Sequence, residues 1–402
     1  MKRYYIVITP FFPNHQSFRG PFIYDQVKAI ERNSDYKVIV FKPKTIYSQE
    51  KDYCYNGINV YLYPDIQMPS YVLNGLTNNI NNIMFLKKLN ELNIDITNID
   101  VVHAHTARFA AFALALKRKN NKIKTLVQHH DPDPLNIRNG IWASKKWNAL
   151  FRSRMSSKLF EQIDCHICIS KFVADSLKSY PKPTNNTYLD SYKNILNLVK
   201  NEPQIKINQL YILYNGVDTT IFYPQKRKDN PIFTIGCIGN FVDWKSQETL
   251  IQAIYILKNK HIETRTIFIG SGPTLKSCKD LVNELNLSNY ITFKKEVQHH
   301  ELAMFYNSLD LFILPSYFEG FGCVFTEASA CGVPYIICKG QGAAEYIDPN
   351  EADYWTFTPR NFHELAEKIE NYILKKPQQH LIITYEIDTL IKDFISFINK
   401  DN

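Results

Sequence analysis

Leu314-Pro315-Ser316-Tyr317-Phe318-Glu319-Gly320-Phe321-Gly322-Cys323-Val324-Phe325-Thr326-Glu327-Ala328-Ser329-Ala330-Cys331-Gly332-Val333-Pro334 decides how the second half of this chain folds. An apolar strand ends at Pro315, two glycines flank Phe321 in a tight loop, and a helix runs from about Cys323 until Gly332 stops it and Pro334 bars its continuation. Strand, glycine loop and helix in succession form the unit of a parallel sheet covered by helices. Glycines let backbone amides approach a ligand closely, and a helix start offers N–H groups at the positive end of its dipole, so a diphosphate is the natural guest. Glu327 lies just over one turn inside the helix, placed to accept hydrogen bonds from ribose hydroxyls. Glu319 stands before the glycines, nearer a sugar. Either glutamate alone reads as a solvated surface charge, but their joint placement around Gly320, Phe321 and Gly322 favours a shared site.

Upstream, Ile235-Gly236-Cys237-Ile238-Gly239-Asn240-Phe241-Val242-Asp243-Trp244-Lys245 repeats the pattern. Gly239 ends a strand, and Lys245 stands near the next helix start, where a cation neutralises charge on a departing nucleotide diphosphate. Gly270-Ser271-Gly272-Pro273 follows a strand over 266–269. It reads either as a tight turn or as a direct nucleotide contact, since Leu275 occupies the place of a third fingerprint glycine.

The first half alternates in the same way, with strands over 4–9, 38–41, 101–105 and 125–129 and helices over 24–31 and 107–119. The expected fold class is α/β, with two Rossmann-like, doubly wound parallel-sheet domains. Residues 1–217 form the first and 218–379 the second, with a helix from about 380 to 402 packing back on the first. Residues 225–230 read as the linker and 181–209 as an insertion or loop without periodicity. His103 and His105 share one face of a strand end, and His105 at the tip is the candidate to orient a donor sugar or an acceptor hydroxyl. A satisfied structural histidine is the rival reading. Asp131-Pro132-Asp133 reads as a turn or as a D-x-D cation site.

Composition narrows the class. Residues 1–217 hold 29 Lys and Arg against 16 Asp and Glu, whereas residues 218–402 hold 18 against 23, so a net charge of +8 hides a basic first half. No apolar run of about 18 residues is present, so a spanning helix is not expected. The Met1 to Pro10 segment is too short for a signal sequence and reads as a buried strand. Eight cysteines are scattered, and Cys165 and Cys168 in their apolar run favour buried packing over metal or redox chemistry.

Together these segments resemble a retaining glycosyltransferase of family 4 with GT-B architecture, its two domains facing across a cleft. Asn215-Gly216-Val217-Asp218, Gly239 with Lys245, Gly270-Ser271-Gly272, the Glu319 and Glu327 pair, and Gly342 with Glu345 carry the resemblance in the second half. In the first half it rests on the loop near 12–22, on His103-Ala104-His105 and on Ile169-Ser170-Lys171-Phe172-Val173. Arg19-Gly20-Pro21-Phe22 stands where paired glycines are usual, which resembles the subgroup that builds capsular, teichuronic and other surface polysaccharides. Asn240 stands where the family often has an arginine, leaving more of the diphosphate to Lys245 or another basic residue.

The resemblance implies a metal-independent transfer, with no cofactor, of a hexosyl or N-acetylhexosaminyl group from a nucleotide sugar, UDP-sugar ahead of GDP-sugar. The acceptor is a glycan or a lipid-diphosphate-linked glycan. Lys245, Glu319 and His105 take the catalytic roles. Gly239, Asn240, Gly270, Gly272, Gly320, Phe321, Gly322 and Glu327 bind the donor, and Arg19, Gly20 and His130 face the acceptor. A nucleotide-sugar epimerase, an NAD-dependent oxidoreductase and a non-catalytic nucleotide-sugar-binding protein are the alternatives. Basic residues mixed with aromatics from Arg138 to Lys158 suit an anionic membrane surface, and no nucleic acid partner is expected. The expected location is the cytoplasm, at the inner face of its membrane.

Overall fold

Six residues at the N-terminus set the geometry of the first unit. The apolar run within β1 (Arg3–Ile8) is buried and pairs in parallel with β2 (Tyr36–Lys44) on one side and β5 (Ile99–His105) on the other. The computed structural model describes residues 3–14, 20–67, 72–73, 75–135, 144–226 and 231–400. Arg19 of the candidate acceptor side, together with Arg138 and Trp142, lies outside them.

The first sheet has the order β3-β4-β2-β1-β5-β6-β7-β8, with β3 (Tyr53–Tyr55), β4 (Ile58–Pro64), β6 (Lys124–His129), β7 (Cys165–Cys168) and β8 (Gln209–Ile212) completing it. Every pairing is parallel except β3 with β4. The strand order reverses between β1 and β5, the place where open parallel sheets hold ligands beyond their carboxyl ends. Its helices are α1 (Pro21–Arg32), α2 (Asn78–Glu91), α3 (Ala110–Lys117), α4 (Lys146–Phe160), α5 (Lys171–Ser179) and α6 (Asp190–Val199).

Helix α6 corrects the reading of 181–209 as a loop. Tyr192, Ile195, Leu196 and Val199 recur at helical spacing and are buried, although asparagine and lysine between them mask the stripe. Cys165 and Cys168 are buried free thiols on β7, and burial pushes the Cys168 thiol up.

The second sheet is wholly parallel, in the order β11-β10-β9-β12-β13-β14. It comprises β9 (Phe233–Ile238), β10 (Thr264–Ile269), β11 (Ile291–Lys294), β12 (Leu311–Leu314), β13 (Tyr335–Cys338) and β14 (Thr356–Phe357). Helices α7 (Gln247–Asn259), α8 (Leu275–Glu284), α9 (Leu302–Tyr306), α10 (Cys323–Ala330), α11 (Ala352–Trp355) and α12 (Phe362–Lys375) cover it. Its order reverses between β9 and β12, so the loops after those two strands occupy the ligand position.

The chain divides into one unit of residues 1–215 with 387–402 and another of 216–386. The division precedes the polar run 225–230 read as the linker because Val217 and Phe222 already belong to the second core. Helix α13 (Ile387–Asn399) returns to the first unit, burying Ile387, Ile391, Phe394, Ile395 and Ile398 in the core that also holds Ile23, Val27 and Ile30 of α1. Each such side chain contributes about 1.5–3 kcal/mol by leaving water. Asp388 fixes the register by accepting hydrogen bonds from Arg32 at 2.9 Å and Asn33 at 2.7 Å.

Candidate functional site

Two loops of the second unit leave the switch point together. After β12 the Ser316 hydroxyl and the Tyr317 backbone N–H both donate to the Trp244 carbonyl of the loop after β9, at 3.1 and 2.9 Å. This stitching brings Glu319 to Lys245, and the two form an ion pair whose side chains are only 18% and 16% exposed. The pair joins the residue expected at the sugar to the residue expected at the diphosphate.

The glycine loop is clamped from a third segment. Buried Gln341 accepts from the Glu319 N–H at 2.6 Å and donates to the Tyr317 carbonyl at 3.2 Å. A Cβ at Gly342 would lie 2.3 Å from the Gly320 carbonyl oxygen and 2.6 Å from Phe321 Cα, so only glycine permits this approach. Gly322, at φ 89°, then opens α10, whose start carries the positive end of the helix dipole.

Glu327 is neither the exposed helix residue that its charge suggests nor a loose ligand. It is 6% exposed. Its Oε2 accepts the Tyr306 hydroxyl at 2.8 Å, and its Oε1 lies 3.0 Å from His299 Nε2. Tyr306 is fully buried, and burial and then the Glu327 charge push its phenol well above the ordinary range, so it remains a donor. The Phe222 ring packs on both partners, with centroids 5.0 Å from His299 and 6.0 Å from Tyr306.

Gly270 and Gly272 have a steric reason in this loop system. A Cβ on Gly270 would sit 2.1 Å from the Gly239 carbonyl oxygen, and one on Gly272 would sit 2.3 Å from that of Phe241. Both glycines let the loop after β10 pack on the loop after β9. Asn240 is exposed, and its carbonyl accepts from Gln247 at 3.0 Å. A further cation stands at this edge: Arg360 donates to the Tyr317 hydroxyl at 2.6 Å and lies over its ring, while Tyr317 donates to Asp243. Burial pushes the Tyr317 phenol up to about 12.

The first unit carries a cluster of its own at the ends of β5 and β6. The His103 and His105 rings stack with centroids 4.6 Å apart. His105 Nδ1 lies 2.9 Å from His130 Nε2, and the Tyr5 hydroxyl lies 2.7 Å from His103 Nδ1. Burial, reinforced by the neighbouring His130, lowers His103 to about 3, and burial also holds His105 well below the usual histidine range. Both imidazoles are therefore neutral and suited to hydrogen bonding with a hydroxyl. Phe22 of α1 packs on His130 at 5.2 Å. Gly20 caps α1 at φ 86°, where a Cβ would lie 2.9 Å from the Phe11 carbonyl oxygen.

A second row crosses the same sheet. Asp133 lies 2.7 Å from His129 Nδ1, His129 Nε2 lies 3.0 Å from His166 Nδ1, and His166 Nε2 donates to the Phe160 carbonyl at 3.1 Å. Asp133 of the D-x-D thus terminates a histidine row.

The structure brings Glu319, Lys245, Gly239 and Gly320–Gly322 to one sheet edge of the second unit, and His105 with His130 to one of the first. Sequence reasoning missed Tyr306, His299, Gln341 and Arg360. The available signal for the first two was a His-His-Glu run before a short apolar helix ending in tyrosine.

Comparison with known proteins fits this layout. Residues 21–188 match Glycosyltransferase Family 4 and residues 218–388 match Glycosyl transferases group 1. A GDP-mannose-dependent alpha-(1-6)-phosphatidylinositol monomannoside mannosyltransferase of Mycobacterium tuberculosis is 30% identical over 214 residues, 46% of this chain and 55% of that protein. The capsular polysaccharide biosynthesis glycosyltransferase CapM of Staphylococcus aureus is 31% identical over 150 residues, 36% of this chain and 37% of that protein. The matched stretch therefore spans about half or less of these relatives' lengths. Anabaena HepE in complex with UDP shares the fold at a TM-score of 0.65 and 16% identity, covering 100% of both chains.

Proposed function

Because this chain belongs to the glycosyltransferases, a family 4 segment followed by a group 1 segment, we propose that it moves a sugar from a nucleotide-sugar donor to a glycan or lipid-linked glycan of a surface polysaccharide. The observation that carries this reading is the convergence of Glu319, Lys245 and the Gly320–Gly322 loop at the switch point of the second sheet. Lys245 and the helix start balance the charge that builds on the departing diphosphate, Glu319 contacts the sugar, and Glu327 accepts from the ribose hydroxyls. Arg360 offers a further positive charge at this edge, where Asn240 replaces an arginine. In the first unit, His105 and His130 orient the acceptor hydroxyl beside Gly20.

The transfer retains anomeric configuration through attack on the face that the diphosphate leaves, and it needs no metal. The acceptor assignment draws on CapM, named for capsular polysaccharide biosynthesis. UDP-sugar is the first donor to try, following the UDP complex of HepE. GDP-mannose is the second, following the name of the mycobacterial relative. The basic first half, lacking among its described residues any helix long and apolar enough to cross a membrane, contacts the membrane from the cytoplasmic side.

Incubation with UDP- and GDP-sugars, without and then with EDTA and with nucleotide release as the readout, tests this reading. Release with one donor supports it, and loss of release on adding EDTA rejects the metal-free mechanism. Isomerised donor without transfer would make the chain an epimerase. Donor binding with no turnover would make it a binding protein.

A further inference from the structure

The described large apolar side chains that stand exposed in the first unit share a location. Ile46 and Tyr47 follow β2, Leu76, Ile80 and Ile83 follow β4, and Trp147 opens α4 after β6. Phe11, less exposed, follows β1. All these strands are parallel, so the residues gather where the carboxyl ends emerge, the same edge that carries His105 and His130. Exposed apolar residues scattered singly are ordinary, whereas a contiguous patch marks an interaction surface.

Contiguity follows from the packing. Ile80 and Ile83 stand three residues apart on the outer side of α2, 51% and 67% exposed, and Leu76, in the turn that leads into the helix, is 58% exposed. The Leu73 N–H, in the segment that precedes α2, donates to Asn148 Oδ1 at 2.9 Å in the first turn of α4 beside Trp147. Ile66 lies between the ends of β4 and α2, and its carbonyl accepts from Thr77 at 2.8 Å and Asn81 at 3.0 Å. Asp65 donates its N–H to the Lys44 carbonyl at 2.8 Å, bringing in the loop that bears Tyr47.

Charge selects the occupant. Lys87 continues the stripe one turn beyond Ile83, and Lys145 and Lys146 precede Trp147, all three exposed. None of the three pairs with a carboxylate among the described residues, whereas Lys88 pairs with Asp52 and Arg154 with Glu202. Apolar residues and a tryptophan rimmed by unneutralised lysines match the boundary between the headgroups and acyl chains of an anionic bilayer.

We propose that the outer face of α2, with Trp147 and Lys145–Lys146 of the α4 start, is a docking surface for an anionic phospholipid bilayer. It holds the histidine edge of the first unit toward the lipid. This rests on the transferase reading only for its purpose, which is delivery of a lipid-linked acceptor headgroup to His105 and His130.

The test is flotation of the full chain with vesicles of phosphatidylcholine alone and of phosphatidylcholine with phosphatidylglycerol, at low and high salt. The wild type should float with the anionic vesicles and release at high salt. The Ile80→Ser/Ile83→Ser and Lys145→Gln/Lys146→Gln variants should each lose about tenfold or more in partitioning, the scale of two lysines at an anionic surface. Leu374→Ser, an exposed apolar position of the second unit, should float as the wild type does, and circular dichroism should show all variants folded. No flotation of the wild type, flotation of both variants at wild-type level, or self-association of the wild type through this face without lipid would each overturn the proposal. Nucleotide release without vesicles separates the two claims. Turnover without flotation removes the docking surface alone, and flotation without turnover removes the transferase reading alone.

Discussion

Tyr306 donates its hydroxyl proton to Oε2 of Glu327 across 2.8 Å, from 21 residues upstream. With His299 at Oε1, it holds the carboxylate in one orientation while leaving lone pairs for a ligand. A hydrogen bond to a charged group contributes about 1.5–3 kcal/mol. Tyr306→Phe should therefore weaken nucleotide affinity about tenfold, raising KM more than it lowers kcat, because the proposed role of Glu327 is at the ribose and not at the bond that breaks. An unchanged KM with a reduced kcat would contradict the assignment.

Lys245 and Glu319 should fail differently. Lys245→Ala removes the cation proposed to balance the leaving diphosphate and strands Glu319 in a mostly buried position, so kcat should fall by about 100- to 1,000-fold. Glu319→Gln keeps the backbone hydrogen bond to Gln341 and should lose turnover while retaining nucleotide affinity within a few-fold. Steady-state kinetics with a donor that the wild type uses, alongside equilibrium nucleotide binding, check both.

Gly342 tests the loop clamp. A methyl there meets the Gly320 carbonyl oxygen and Phe321 Cα well inside contact distance, so the loop must move. Gly342→Ala should cost about 1–3 kcal/mol in stability, read by urea unfolding, and should weaken donor binding although the residue presents no side chain to a ligand. Wild-type affinity in this variant would show that the loop position is irrelevant.

Acid should act on the first unit through its buried histidines. Burial, with His129 beside it, lowers His166 from 6.5 to about 3. The unfolded chain therefore binds the proton first as pH falls. The stability that neutral His166 contributes is fully present above about 6.5 and is lost progressively toward about 3, at up to about 1.4 kcal/mol per pH unit. Urea unfolding between pH 7 and 4 should show this slope, and His166→Gln should reduce it. His103, lowered to about 3 by its burial, adds in the same direction.

What the sequence made legible is what short-range patterning encodes. The glycine loop, the α10 start and stop, the alternation that predicts two parallel sheets and the placement of Glu319 and Glu327 all follow from residues within one or two turns of each other. The partners of Glu327 were not legible, because His299 and Tyr306 lie 28 and 21 residues away and meet it only through packing around Phe222. Helix α6 was hidden by polar residues between its four apolar positions. Gly270 and Gly272 could be read two ways until the close approach of Gly239 and Phe241 gave both a steric cause.

Equilibrium binding of UDP and of GDP to the full chain, with Glu327→Ala beside the wild type, is the most direct measurement of the donor site. One of the two nucleotides should bind at one site per chain, and Glu327→Ala should weaken it at least about tenfold, the loss of roughly one charged hydrogen bond. Binding of neither nucleotide to the wild type, or equal binding to the variant, would contradict the assignment of this loop as a nucleotide-sugar site.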